Sequence, residues 1–233
     1  MKIKVYADGA SLTDMLEAYN GEQVSGFTTN PTLMKKAGVV DYLKFAKSAL
    51  ENIQDMPISF EVFSDDFDEM YEQAKKLAAL GENVFVKIPV TNTSGEFAGD
   101  LINRLDKENV KMNITAVFTK QQVQSILENI NTDNPHIISI FAGRIADTGL
   151  DPVTIMKENL EMIKNKSENL QLLWASPREV LNVYQADEIG CDIITITTPL
   201  LNKLKLKDKD LSEYSLETVK MFYDDAQKVG YEL

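Results

Sequence analysis

Eight short apolar segments rich in β-branched and aromatic residues recur along the chain. They are KIKVYAD (2–8), VSGFTTN (24–30), ISFEVF (58–63), VFVKIP (84–89), KMNITAVF (111–118), IISIFAG (137–143), LQLLWAS (170–176) and DIITITT (192–198). Runs this apolar read as strands buried on both faces, the pattern of a parallel sheet. Helical patterns lie between them. After the third strand, Phe67, Met70, Tyr71, Ala74, Leu77 and Ala78 keep helical spacing, and Gly81 supplies a stop. After the fifth, Thr119-x-x-Gln122 is a capping-box pattern. After the sixth, Asp151-Pro152 places a cap and then proline at the first helical position. After the seventh, Ser176-Pro177-Arg178-Glu179 offers both signals, with Ser176 as cap and Glu179 completing the box.

Eight strand–helix units in 233 residues average about 29 residues each, the unit size of a (β/α)8 barrel. A doubly wound open sheet is the alternative. It usually has fewer strands and often a glycine-rich phosphate turn, and neither G-x-G-x-x-G nor a P-loop occurs in the sequence. The fold expected is α/β: a single-domain (β/α)8 TIM barrel over residues 1–211, with an extra C-terminal helix over 212–233. Leu216, Val219, Phe222, Tyr223 and Ala226 give that helix an apolar spacing, to pack on the barrel or on a neighbouring subunit.

Composition narrows the function classes. The formal net charge of −12 argues against nucleic acid or an anionic membrane as partner. It leaves room for an anionic substrate, because a local arginine cluster still holds a phosphate. The single cysteine, Cys191, excludes an internal disulfide, so a reducing, cytoplasmic setting fits. The polar start does not fit a signal peptide, and no apolar run approaches about 18 residues. The lone histidine, His136, follows Pro135 in what reads as a loop. One histidine and one cysteine exclude a His-rich metal site and argue against a structural zinc. A Ser-His-Asp triad falls too, unless His136 itself serves.

In a barrel, polar residues late in strands gather at the C-terminal face, where active sites lie. Lys87 stands inside the apolar run Val84–Pro89. Lysine is almost never fully buried unless paired or functional. It is either a Schiff-base nucleophile or an ion-paired strand-end lysine. Asp8 and Glu61 are likewise acidic residues in apolar strands, and each alone reads as a structural ion pair. Together with Lys87 in one mouth they would compensate one another. Thr28, Thr29 and Asn30 precede Pro31 and read either as a turn with a cap or as site residues. Ser176 fits a helix cap or an anion site. Arg144 and Arg178 suit two-pronged phosphate contacts or surface ion pairs.

The residues also carry a resemblance. Gly26-Phe27-Thr28-Thr29-Asn30-Pro31-Thr32-Leu33 resembles the first signature of the transaldolase family, and Val84-Phe85-Val86-Lys87-Ile88-Pro89 its Schiff-base lysine segment. Ala7-Asp8, Asn113-Ile114-Thr115, Phe141-Ala142-Gly143-Arg144-Ile145 and Ser176-Pro177-Arg178 match as well, so the likeness runs from the first strand to the eighth. It implies a metal-free (β/α)8 enzyme of the pentose phosphate pathway that needs no cofactor. Such enzymes carry a three-carbon ketol unit between sugar phosphates on lysine.

The resemblance implies Lys87 as nucleophile, Asp8 as acid–base, and Glu61 with Thr115 as proton relay through a water. It implies Thr28, Asn30 and Asn113 for the three-carbon unit, and Arg144, Ser176 and Arg178 for the phosphate. The chain's length is typical of the small subfamily that includes fructose-6-phosphate aldolases. Those typically carry glutamine at Glu61 and tyrosine at Phe141, and Asn113 fits the N-x-T pattern of transaldolases. Transaldolase is therefore favoured over the aldolase, and over a sugar-phosphate-binding barrel without catalysis. Pro177 and Thr32 depart from the family pattern. Members of the small subfamily form homo-oligomeric rings, pentamers or decamers.

Overall fold

Each apolar segment forms a strand. A computed structural model describes residues 1–131 and 133–232. By its internal contacts the chain divides into two units, Met1–Leu201 and Asn202–Leu233. In the first, β1 (Lys4–Asp8), β2 (Gly26–Thr28), β3 (Ile58–Glu61), β4 (Val84–Pro89), β5 (Met112–Val117), β6 (His136–Ile140), β7 (Leu170–Trp174) and β8 (Ile193–Thr197) close a parallel barrel in chain order. The helices between them are α1 (Leu12–Asn20), α2 (Pro31–Lys36), α3 (Tyr42–Asn52), α4 (Phe67–Ala78) and α5 (Gly99–Lys107). They continue as α6 (Lys120–Asn129), α7 (Ala142–Ala146), α8 (Pro152–Lys166) and α9 (Leu181–Glu188), and α10 (Thr198–Lys203) follows β8. The second unit holds a short 3-10 turn, Leu204–Leu206, and α11 (Leu211–Val229), capped by Asp210 through the Ser212 and Glu213 N–H groups.

The local signals explain the helix starts. Thr119 and Gln122 form the expected capping box, and Asp151 caps α8 with Pro152 at its first turn. Inside the barrel, Tyr6 fills the centre against Ile137, Leu173, Ala175 and Ile193. Gly26, its partner in register, makes that fit: a Cβ there would lie 2.6 Å from the Tyr6 ring. On the opposite pleat, Phe27, Phe60, Val86 and Ile88 are buried too, as a double-sided parallel strand requires.

The lone histidine is not in a loop. His136 is the first residue of β6 and fully buried, although Pro135 before it reads as a loop signal. Its Nδ1 accepts the Met112 N–H at 3.2 Å, so Nε2 carries the hydrogen and donates to Asp106 Oδ1 at 2.8 Å. Asp106 also accepts the Asn131 N–H and the Asn134 amide. One imidazole thus joins α5, β5 and β6 at the N-terminal end of the barrel.

Burial pushes His136 below its ordinary value of 6.5, against the pull of Asp106. Burial raises Asp106, but hydrogen bonds from Asn134, His136 and the Asn131 N–H outweigh it and hold it below the ordinary carboxylate range. Below about pH 6.5 the unfolded chain binds a proton at His136 that the folded chain resists, so stability is lost as pH falls. The depressed Asp106 adds a further loss as pH falls through the carboxylate range. Thermal melts should therefore drop between neutral pH and about pH 5, and His136→Gln should flatten that drop. Asp106→Ala should cost roughly 1–3 kcal/mol at neutral pH by leaving buried donors unpaired.

Candidate active site

Strand register sets the chemistry side by side. Glu61 on β3 pairs with Lys87 on β4, and Asp8 on β1 with Thr28 on β2. Lys87 is 6% exposed. Its Nζ lies 3.0 Å from Glu61 Oε2 and donates to the Thr29 carbonyl at 2.9 Å. The Tyr42 hydroxyl donates to the Glu61 carbonyl at 2.7 Å and anchors the end of β3. Burial pushes the Tyr42 phenol above its ordinary range, so it stays a donor.

Asp8 accepts from Thr28 Oγ1 at 2.8 Å, and Thr28 Oγ1 lies 2.5 Å from Thr195 Oγ1 on β8. Burial raises Asp8 above the ordinary carboxylate value. Lys87 and the Thr28 hydrogen bond pull it down, and Glu61 pushes it up. Lys87 and Glu61 therefore both act on Asp8 through space. A carboxyl raised toward neutrality suits a group that must both give and take a proton.

These side chains open into a cavity of about 630 Å³ at the C-terminal ends of the strands. Among the described residues, ten of the eleven expected site residues line it: Asp8, Thr28, Asn30, Glu61, Lys87 and Thr115 in the inner part, Phe141, Arg144, Ser176 and Arg178 toward the rim. Asn113 does not. It is fully buried, its Nδ2 donating to Ser59 Oγ at 3.0 Å and its Oδ1 accepting from Ser139 Oγ at 2.6 Å. Ser139 is the member of that trio that reaches the cavity. Asn30 caps α2, accepting the Leu33 N–H at 3.0 Å, and lines the cavity as well. Thr115 Oγ1 is buried with no hydrogen-bond partner among the described residues. It precedes Ala116, whose φ of 59° marks the register shift in β5 between Ile114 and Val117.

The rim differs from the sequence expectation in two places. Arg144 lies on helix α7 rather than late in a strand, because β6 stops at Ile140. Its guanidinium carbon sits 5.6 Å from the Phe141 ring centroid. Ser176 is not a helix cap. It takes a left-handed φ of 57°, α9 begins only at Leu181, and Asn182 Oδ1 accepts the Arg178 and Glu179 N–H groups instead. Arg178 is held by Asp147, Nε to Oδ1 at 2.9 Å and Nη2 to Oδ2.

Sequence reasoning missed Ser139, Thr195, Phe118 and Lys36, all of which line the cavity. Ser139 and Thr195 had a signal, as polar positions flanked by isoleucines in β6 and β8. Phe118 and Lys36 had none, since an apolar residue after a strand and a lysine in a helix's last turn are commonplace.

Fold and site define a parallel (β/α)8 barrel with a lysine–carboxylate pair and a second, half-buried carboxylate at its C-terminal mouth. The family model described as Transaldolase/Fructose-6-phosphate aldolase matches residues 5–233, and the chain belongs to that family. It is 34% identical over 230 residues to a probable transaldolase of Thermoplasma volcanium, covering 98% of this chain and 97% of the relative. It is also 34% identical over 205 residues to a probable transaldolase of Syntrophobacter fumaroxidans, covering 87% and 89%. The crystal structure of KGPDC from Streptococcus mutans shares the fold alone, with a TM-score of 0.58 and 12% identity over 87% of this chain and 91% of that one.

Gly143 joins the two halves of the rim. Its N–H donates to the Ala175 carbonyl at 3.2 Å, and a Cβ on it would lie 1.5 Å from the Ser176 carbonyl oxygen. Backbone has no rotamer through which to yield. Gly143→Ala should destabilise the fold by about 1–3 kcal/mol or more and displace Ser176 from the cavity, read by thermal melts and by weaker inhibition by inorganic phosphate.

Proposed function

We propose that the chain is a transaldolase. It moves a dihydroxyacetone unit from a ketose phosphate, sedoheptulose 7-phosphate or fructose 6-phosphate, to an aldose phosphate through an imine on Lys87. The observation that carries this reading is the pairing of the buried Lys87 with the half-buried Glu61 at 3.0 Å, in a cavity with cations on its rim. Membership of the family and the relatives' names support it.

Glu61 accepts the ammonium proton, and the neutral amine attacks the C2 ketone. Loss of water from the carbinolamine needs a proton delivered and one removed. Glu61 and the uncommitted Thr115 hydroxyl carry these through a water between them. Asp8 then takes the C4 hydroxyl proton, the C3–C4 bond breaks, and its electron pair passes to the iminium, leaving an enamine on Lys87. The aldose phosphate leaves. An incoming aldose phosphate is attacked by the enamine, and Asp8 returns the proton to the new hydroxyl. Asn30 and Ser139, the latter oriented by Asn113, hold the hydroxyls of the three-carbon unit. Arg144, Ser176 and Arg178 hold the phosphate, which draws on the strength of charge-assisted bonds. Phe141 puts a ring without a hydroxyl beside the enamine, and so favours transfer to a sugar over protonation.

Borohydride with fructose 6-phosphate should trap an adduct on Lys87, read by peptide mass spectrometry. Absence of any adduct there overturns the proposal. Asp8→Asn should keep the trap and lose roughly 10²–10⁴ in kcat. Turnover of fructose 6-phosphate should depend on erythrose 4-phosphate. Equal release of free dihydroxyacetone without that acceptor would make the protein an aldolase instead. Phe141→Tyr should raise acceptor-free release.

A further inference from the structure

Thr28 and Thr195 each carry one hydroxyl hydrogen, and that fixes a direction. Thr28 Oγ1 donates to Asp8 Oδ1 at 2.8 Å. This contact uses the only proton Thr28 has. The 2.5 Å contact between the two threonine hydroxyls must then use the proton of Thr195. The result is a one-way chain, Thr195 to Thr28 to Asp8, crossing from β8 to β2 past β1. Thr28 is 2% exposed and Thr195 5%, so bulk water does not compete for these hydroxyls. Both residues line the cavity. The family resemblance did not single out Thr195.

We propose that Thr195 is a positioning residue for Asp8: its hydroxyl donates to Thr28, which locks Thr28 as a donor to Asp8 Oδ1 and leaves Asp8 Oδ2 for the substrate hydroxyl. The proposal rests on Asp8 as the acid–base group. During cleavage the substrate hydroxyl proton goes to Oδ2 as the carbon–carbon electron pair moves to the iminium. The Oδ1 hydrogen bond persists throughout, so the carboxyl does not rotate between its basic and acidic roles. Without Thr195, the Thr28 hydroxyl loses the donor that polarises it and is free to turn away. Donation to Asp8 weakens, and hydrogen-bonded chains strengthen or weaken together. The charged groups acting on Asp8 are Lys87 and Glu61, and both stay in place when Thr195 changes.

Thr195→Val keeps the shape of the side chain and removes the donor. Its kcat for transfer from fructose 6-phosphate to erythrose 4-phosphate should fall about tenfold, a small part of what a positioned acid–base group contributes. KM should stay within about twofold. The acidic limb of the kcat–pH profile should move to higher pH, since the ionised carboxylate has lost support. Thr195→Ser should restore both. The same upward move should appear in the Asp8 carboxyl titration, followed by carbon NMR on aspartate-labelled protein and assigned with Asp8→Asn. If Thr195→Val does not fold, Thr195→Ala is read in the same way. A Thr195→Val protein with unchanged acidic limb and Asp8 titration overturns the proposal. A wild-type protein without transfer activity instead overturns the function proposed above, and the Asp8 titration still judges the relay.

Discussion

The contact between Lys87 and Glu61 is the interaction on which the rest of the site depends. Register alone puts these residues on neighbouring strands at one level, facing the same way. Burying either charge singly is costly, and removing one partner of such a pair commonly costs about 3–5 kcal/mol. The Thr29 carbonyl takes a second ammonium hydrogen. Asp8 then makes the charge set uneven, two carboxylates to one amine. Burial pushes Asp8 toward protonation, while Lys87 and the Thr28 hydroxyl pull it back. Two carboxylates with different environments around one amine form a natural division between proton relay and acid–base group.

Beneath and beside this set the barrel uses small hydroxyls. Tyr6 and its apolar neighbours plug the centre. Above them Ser59, Asn113 and Ser139 satisfy one another, as do Thr28 and Thr195. Larger polar side chains would fill the cavity, and apolar ones would leave Asp8 without a donor. The Thr115 hydroxyl, without a partner among the described residues, stands out against this network, because buried polar groups are rarely left unpaired.

The strands, their order and Lys87 were legible because each rests on local pattern: apolar runs, caps and one lysine where a lysine is costly. The family resemblance implied that Asn113 faces the substrate. Two serines on other strands enclose it, and cross-barrel contacts leave no trace in linear order. His136 was hidden for a similar reason, since its acceptor Asp106 lies thirty residues away on a helix. Thr195 acts on Asp8 only because β8 closes against β1. Arg144 moved from strand to helix because β6 ends earlier than its apolar run.

The rim shows why backbone geometry is harder to read than side-chain chemistry. Ala116 and Ser176 both adopt left-handed φ values without being glycine. Each such residue costs about 1–2 kcal/mol, and such strain persists only where the surroundings over-determine it. At Ala116 the surroundings are the ladders on either side of a register shift, after which Phe118 lines the cavity beside Thr115. At Ser176 they are the bare face of Gly143 against its carbonyl and the Gly143 N–H on Ala175. The glycine that the sequence does show is therefore not at the strained position. It stands opposite, where its missing side chain lets a strained serine reach the rim beside Arg144 and Arg178.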